Sequence, residues 1–468
     1  MRVKERRFQE RGWRAACRVA NLSGLMTDPG RLRRHTTRRW MALGALALPC
    51  AAALLGAAAP AKAPAPAPPS APVALVETRP IETGIGNPDV ADALPTWLAL
   101  IGAARHTIDL EEFYLSTWPG EPMEPVLAAL GAAARRGVQI RLILDSRMYR
   151  TYPRGADSLA GASGWQVRLI DFGRISGGIQ HAKFFLVDGE LVYVGSQNFD
   201  WRSLKHIHEL GVAIRDSRVT TDYEHVFDMD WAVGRAPSSP PDTTKFVSAP
   251  PPFHAAGELP YRIVQAPGDT VELWPGWSPK SFVPDMSRWD LSFIQRTLDA
   301  AKSEIAIQIY SYSPTARDGN RLPFDASLRA AAARGVRVKL IVPDWTIGGG
   351  GFKSIQDLAG VPNVEVKLSS LPDWSGGYIP FARVEHCKYM VVDTVMTWVG
   401  TDNWEPSYFF NARNLSVTMR NRRLAEQARK IFESSWTAPS ASALDPKATY
   451  TPRPHGEQAP AGRTKYGG

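Results

Sequence analysis

Apolar and polar positions along this chain switch between two periods, and the order of the switches repeats. Leu94, Leu98, Ile101 and Ala104 recur at helical spacing and predict a helix over 92–105. Thr107–Tyr114 then reads as a strand, Met123–Arg136 as a helix stopped by Gly137, and Val138–Leu144 and Trp165–Ile170 as strands. A continuous apolar strand, His181–Val187, turns at Asp188-Gly189 into Leu191–Val194, a strong hairpin signal. Leu210–Ile214 adds a strand and Asp222–Trp231 a closing helix.

The same order returns further on. A helix over Leu291–Lys302 leads to strand Ile305–Tyr310. A helix ending at Arg334-Gly335 leads to strands Val336–Val342 and Val364–Leu368. Strands Glu385–Val392 and Met396–Val399 and the closing helix Leu424–Trp436 complete it. An offset of 205 carries His181 to His386, Asn198 to Asn403, Phe227 to Phe432 and Trp231 to Trp436. It also carries Glu209 to Asn414, a mismatch. Earlier, Ile108 meets Ile305 at an offset of 197, so the insertions fall in loops before the motif. Strands alternating with helices predict an α/β class. Two α/β/α lobes with mixed sheets, related by a pseudo-twofold, would share a site at their interface. The expected boundaries are a leader (1–63), a Pro/Ala-rich tether (64–74) and a first lobe (75–234). A Pro/Ser-rich interlobe linker (235–267), a second lobe (268–437) and a disordered tail (438–468) follow.

Charge changes this picture only through its location. The formal net charge of +9 suggests a polyanion binder, but 13 Lys/Arg and 3 Asp/Glu fall in residues 1–63. What remains is 42 basic against 43 acidic residues, so attraction to phosphate in the folded part must be local. Arg31, Arg33, Arg34, Arg38 and Arg39 precede an Ala/Leu-rich run from Trp40 to Ala59, and Ala59-Pro60-Ala61 is an A-x-A cleavage candidate. The leader is therefore read as an export signal, with a membrane tether through residues 40–59 as the alternative. Both readings place the working part outside the cytoplasm, periplasmic or membrane-anchored. Cys17 and Cys50 fall in the leader, so only Cys387 remains beyond it, and no CxxC or His/Cys cluster has zinc spacing.

The chemistry is concentrated in one repeated pattern, H-x-K-x4-D-x6-G-[ST]-x-N. It occurs as His181, Lys183, Asp188, Gly195 and Asn198, and again as His386, Lys388, Asp393, Gly400 and Asn403. On a strand, residues i and i+2 share a face, so each His points with its Lys. Lys183, Lys388, Asn198 and Asn403 are the candidate phosphate-binding groups, and the glycines would allow close backbone approach. Asp188 and Asp393, counted with the catalytic set, fall on the opposite face and have mainly a structural role at the turn. Facing copies would set two imidazoles about one phosphorus, one as nucleophile and one as acid. A nucleophilic imidazole needs an acceptor on its other nitrogen, and Glu209 is the candidate. Its counterpart Asn414 carries no charge, which predicts His181 as nucleophile and His386 as acid. Asn414 also opens the only N-x-[ST] sequon past the leader, and as partner of Glu209 it should lie in the site rather than carry a glycan.

At these residues the chain resembles the phospholipase D superfamily, over roughly residues 75–437. Asp200-Trp201-Arg202-Ser203-Leu204 and Ile379-Pro380-Phe381-Ala382-Arg383-Val384 go beyond the shared motif. They are most similar to the animal lysosomal phospholipase D-like subgroup. The resemblance implies a two-lobed α/β/α fold, a phosphohistidine intermediate and no metal or other cofactor. For that subgroup it implies 5′-exonuclease action on single-stranded DNA and RNA, and transphosphatidylation of acidic glycerophospholipids has also been attributed to it. The expected function is an exported phosphodiesterase whose partner is single-stranded nucleic acid, stacked on aromatics such as Phe199, Trp201 or Trp404. The alternative is a phospholipase D or phosphatidyltransferase acting on glycerophospholipids. The sequence gives no oligomeric state.

Overall fold

The computed structural model describes residues 69–239, 253–283 and 285–467. The arginine cluster, the run 40–59, the cleavage site, Cys17 and Cys50 lie outside these residues. Among the described residues no helix is long and apolar enough to cross a membrane.

Two mixed sheets carry the two halves. In the first, the parallel strands Trp165–Ile170, Gln139–Asp145 and Thr107–Glu112 lead into Phe184–Val187, which pairs antiparallel. Leu191–Gly195, Glu209–Arg215 and Val73–Thr78 continue antiparallel, and Ala91–Asp92 closes the edge. The second sheet repeats this order with Val364–Ser369, Arg337–Pro343, Glu304–Ile309, Lys388–Val392, Met396–Gly400 and Asn414–Arg420. Asp269–Ser278 and Tyr261–Ala266 extend it at one edge, and Ala441–Ala443 at the other.

The motif strands are apolar throughout because both of their faces are buried. Phe184 and Leu186 enter a core shared by the two sheets, while Phe185 and Val187 enter the first half's own core. Likewise Tyr389 and Val391 face the shared core, and Met390 and Val392 the second half's own. The closing helices Ser217–Val233 and Arg422–Thr437 contribute Tyr223, Phe227, Ile431 and Phe432 to the shared core. Asp216 and Asn421 cap them by accepting backbone N–H bonds in the first turn. The first half's own core takes helices Ala93–Ala103 and Met123–Arg135, and the second's takes Asp290–Asp299 and Phe324–Ala333.

Two expectations change. Residues 261–266, read as linker, form a sheet strand: Tyr261 and Ile263 point into the shared core while Arg262 and Val264 face solvent. The tail, read as disordered, packs along the second half and ends against the first. Ser442 pairs with Leu368, Tyr378 N donates to Thr464 O, and His455 stacks on Trp345 with ring centroids 4.0 Å apart. Arg453 reaches Asp344 at 3.0 Å and Tyr466 packs against Trp118, Trp201 and Trp374. Its Pro/Gly content limits regular structure to the short strand Ala441–Ala443, and a few aromatic and charged anchors hold the rest to the surface.

Candidate active site

Both motif strands begin later than the sequence pattern predicts, at Phe184 and Lys388. The histidines stand just ahead of them, where each strand's own ladder ends and the opposite half takes over. Gln180 bridges Arg413 and Glu385 bridges His208, both in parallel sense. His181 N donates to Arg413 O at 2.9 Å, and His386 N donates to His208 O at 3.0 Å. Each motif histidine is thus seated on the strand entry of the other half.

The side chains cross in the same way. His181 Nδ1 lies 2.9 Å from Asn414 Oδ1, and His386 Nδ1 lies 2.8 and 3.0 Å from the Glu209 carboxylate oxygens. The expected pairing of Glu209 with His181 is therefore corrected. A pseudo-twofold hands each histidine the acceptor of the opposite repeat. Asn414 Nδ2 donates to Tyr408 O at 2.9 Å, so Oδ1 faces the imidazole and Nδ1 of His181 carries the hydrogen. Asn414 is fully buried, as the sequon reading requires.

Lys183 and Lys388 each donate Nζ to the carbonyl of their own histidine. Lys183 is 1% and Lys388 0% exposed, which makes the site a buried cationic pocket. Burial and the neighbouring Lys388 push Lys183 well below the usual ammonium range. Burial takes Lys388 down to about 7 although Glu209 opposes it. Burial followed by both lysines lowers His181 well below the ordinary imidazole value. His386 is lowered by burial, both lysines and His181, so the two imidazoles share one electrostatic environment. Burial lifts Glu209 to about 8 against the pull of Lys388.

Asn198 and Asn403 are buried at 7% and 2% exposure, and among the described residues neither Oδ1 accepts a hydrogen bond; only their Nδ2 groups can donate to phosphoryl oxygens. Gly195 and Gly400 serve the neighbouring strands: a Cβ at Gly195 would fall 2.6 Å from Gly211 Cα, and one at Gly400 would fall 2.8 Å from Ser416 Cβ.

Asp188 and Asp393 take the left-handed conformation at their hairpin turns. The Asp188 carboxylate accepts N–H bonds from Arg105, His106 and Thr107, and Asp393 does the same with Lys302, Ser303 and Glu304. Partial burial opposes ionisation, but these bonds hold both carboxyls below their usual range. They tie the turn to the start of the adjacent strand. Asp188→Ala is expected to lower stability by about 1–3 kcal/mol in urea unfolding while kcat stays at the wild-type value.

Phe199, Trp201 and Trp404, proposed above as base platforms, are core residues at 1%, 6% and 0% exposure. The rings against the histidines are others. Phe113 meets His181 edge-on at 5.0 Å and Lys183 at 5.1 Å; Tyr310 meets His386 at 4.8 Å and Lys388 at 5.2 Å. Tyr408 covers His181 at 4.9 Å. Phe113 and Tyr310 are related by the 197 offset of Ile108 and Ile305, the signal that could have found them.

Among the described residues, the donor atoms of His208, Glu385 and Cys387 lie within 4.8 Å of one another, a metal-ligand grouping directly behind His386. Both nitrogens of His208 already face carboxylates, and burial pushes the Cys387 thiol up to about 12, so the group is poorly matched to a metal.

The family described as "Cardiolipin synthase, PLD-like domain" matches residues 97–231 and 294–436. The 5'-3' exonuclease PLD3 of Macaca fascicularis is 32% identical over 78% of this chain and 78% of its own length. Phospholipase D Z of Dictyostelium discoideum is 30% identical over 73% of this chain and 84% of its own. In fold, the chain is similar to the phosphatidylserine synthase of Haemophilus influenzae, with a TM-score of 0.56 over 75% of this chain and 85% of that one, at 12% identity.

Proposed function

This chain belongs to the phospholipase D-like family, and we propose that it is an exported phosphodiesterase hydrolysing single-stranded nucleic acid through a phosphohistidine. The observation that carries the phosphodiesterase reading is the crossed arrangement: two imidazoles held by opposite halves beside two buried ammonium groups. Two buried ammoniums with depressed pKa values are a site short of negative charge, and a phosphodiester supplies it.

In this reading His181, neutral with its hydrogen on Nδ1, presents the Nε2 lone pair to phosphorus. The N–P bond forms as the P–O bond to the leaving group breaks, and His386 Nε2–H passes its proton to the departing oxygen. Water then attacks phosphorus, gives its proton to His386, and the N–P bond breaks. Glu209 and His386 share a proton on the Nδ1 side, which leaves Nε2 of His386 as the donor whichever partner holds it. Lys183, Lys388, Asn198 and Asn403 hold the phosphoryl oxygens. The premise that Glu209 backs His181 is overturned, and the proposal of His181 as nucleophile rests instead on Asn414 fixing its hydrogen on Nδ1 and leaving Nε2 free.

Nucleic acid is favoured by the exonuclease relatives at 32% identity and by the rings of Phe113, Tyr310 and Tyr408 at the site, since bases stack on aromatic faces. The second reading, cleavage or transfer on glycerophospholipids, is favoured by the name of the Dictyostelium relative. The reading of export is supported by the basic, Ala/Leu-rich sequence of residues 1–63. The test is to incubate the protein with a 5′-hydroxyl single-stranded oligonucleotide or with phosphatidylglycerol vesicles, each with EDTA, beside His181→Ala. Oligonucleotide cleavage in EDTA that the variant lacks is expected. Turnover of lipid alone would assign the second reading, and loss of all turnover in EDTA would overturn the metal-free mechanism.

A further inference from the structure

The two halves hold their histidines with clamps at the same repeat positions but with the charges rearranged. At the first, Arg413 is fully buried and bidentate on Asp230 at 2.6 and 2.8 Å, and its backbone seats His181. Its bridge partner is Gln180, whose Nε2 reaches Glu111 at 3.2 Å. The 205 offset carries Arg413 back to His208, Gln180 to Glu385 and Asp230 to Ser435, and the 197 offset carries Glu111 to Gln308. The permanent guanidinium of one clamp therefore becomes an imidazole in the other.

His208 has 0% exposure. Its Nδ1 is 2.5 Å from Glu385 Oε2 and its Nε2 is 2.8 Å from Glu77 Oε1. Gln308 Nε2 donates to the same Glu385 oxygen at 2.5 Å, and Asn87 N donates to Glu77 at 2.9 Å. Ser435 Oγ and the Cys387 thiol complete the surroundings. With carboxylates on both nitrogens, both nitrogens donate, so the ring is an imidazolium and has no lone pair left for a metal. Burial opposes that charge, but Cys387 and Glu385 outweigh it and raise the His208 pKa well above the ordinary value. The residue next to His208 is Glu209, and the residue next to Glu385 is His386. One buried ion network thus fixes the two backbones that present the acid and its acceptor.

We propose that His208, bridging Glu385 and Glu77, is a positioning residue that sets the geometry of the Glu209–His386 couple. It touches no substrate, so its loss acts on kcat rather than KM. The inference rests on the phosphodiesterase reading for its rate measurement.

The test compares the full chain with His208→Gln and Glu385→Gln across pH on a 5′-hydroxyl single-stranded oligonucleotide, whose leaving alkoxide needs the proton of His386. Glu385→Gln installs the residue that the other half already carries at Gln180, which favours its folding if His208→Gln fails. Both variants are expected to lose about 10–100-fold in kcat with KM within about 2-fold of wild type. Their alkaline limbs move in opposite directions. Removing the buried cation makes the protonated couple and Lys388 easier to keep, so the limb of His208→Gln moves up; removing an anion moves that of Glu385→Gln down. Limb position does not depend on how much enzyme is folded, so a purely structural role leaves it in place. Unshifted limbs in the folded variants, or wild-type kcat in either, would overturn the positioning role. Inactivity of the wild-type chain would instead overturn the reading of the site.

Discussion

His181→Ala is expected to lower kcat by about 10⁴-fold or more on an oligonucleotide and on an activated aryl phosphodiester alike, because no bond to phosphorus can form without it. His386→Ala should behave differently. General acid help is worth about 10²–10⁴-fold, or about 3–5 kcal/mol, where the leaving oxygen is a poor leaving group. A nitrophenolate needs almost no proton, so His386→Ala should recover most of its rate in the first step on that substrate. The contrast follows from what backs each ring. Asn414 is a neutral amide that fixes the hydrogen of His181 on Nδ1 and leaves Nε2 free. Glu209 is a carboxyl that retains a proton with His386 up to about pH 8. Acid-free quenching with substrate labelled at phosphorus should place the label on His181. Label on His386, or equal loss for both variants on the aryl substrate, would reverse the roles.

The repeat made the site legible: two copies of one pattern, spaced alike, mark His181, Lys183, Asn198 and their counterparts in the sequence itself. The mixed sheets followed from period and order, since apolar runs such as Phe184–Val187 are what burial on both faces requires. The crossing of the acceptors was hidden. Glu209 lies in the same repeat as His181, and nothing local in the sequence says that a twofold exchanges partners between halves. The clamp was hidden for the same reason: His208 and Glu385 are 177 residues apart and meet only because each strand entry ends on the other half. Composition misled twice, at 261–266 and in the tail. Proline and glycine there limit regular structure without preventing Tyr261 or Tyr466 from anchoring the chain.

Glu209→Gln should cost about 10²–10³-fold in kcat and also move the pH profile, in a direction the electrostatics fixes. In the wild type two groups govern the alkaline side. Lys388 loses its charge as pH rises through about 7, and the Glu209–His386 couple loses its proton as pH rises through about 8. Activity is therefore expected to fall as pH rises from 7 to 8. On the acid side His181 must be unprotonated, and burial with the two lysines keeps it so well below the ordinary imidazole range. The rate should thus persist below pH 6.5. A glutamine at 209 removes the proton shared at about 8, and it also removes the anion that helps Lys388 stay charged. Both changes act in one sense, so the alkaline limb of kcat/KM should move below about 7 while the acid side is unchanged. The variant also makes the second half imitate the first, with an amide behind each ring, as Asn414 already stands behind His181. Two imidazoles so backed are both bases, and no group remains to protonate the leaving oxygen. An activated aryl phosphodiester should therefore restore the first-step rate of Glu209→Gln just as it does for His386→Ala. A limb that stays at 7–8, or a rate deficit that is the same for good and poor leaving groups, would show that Glu209 does not act through the proton of His386.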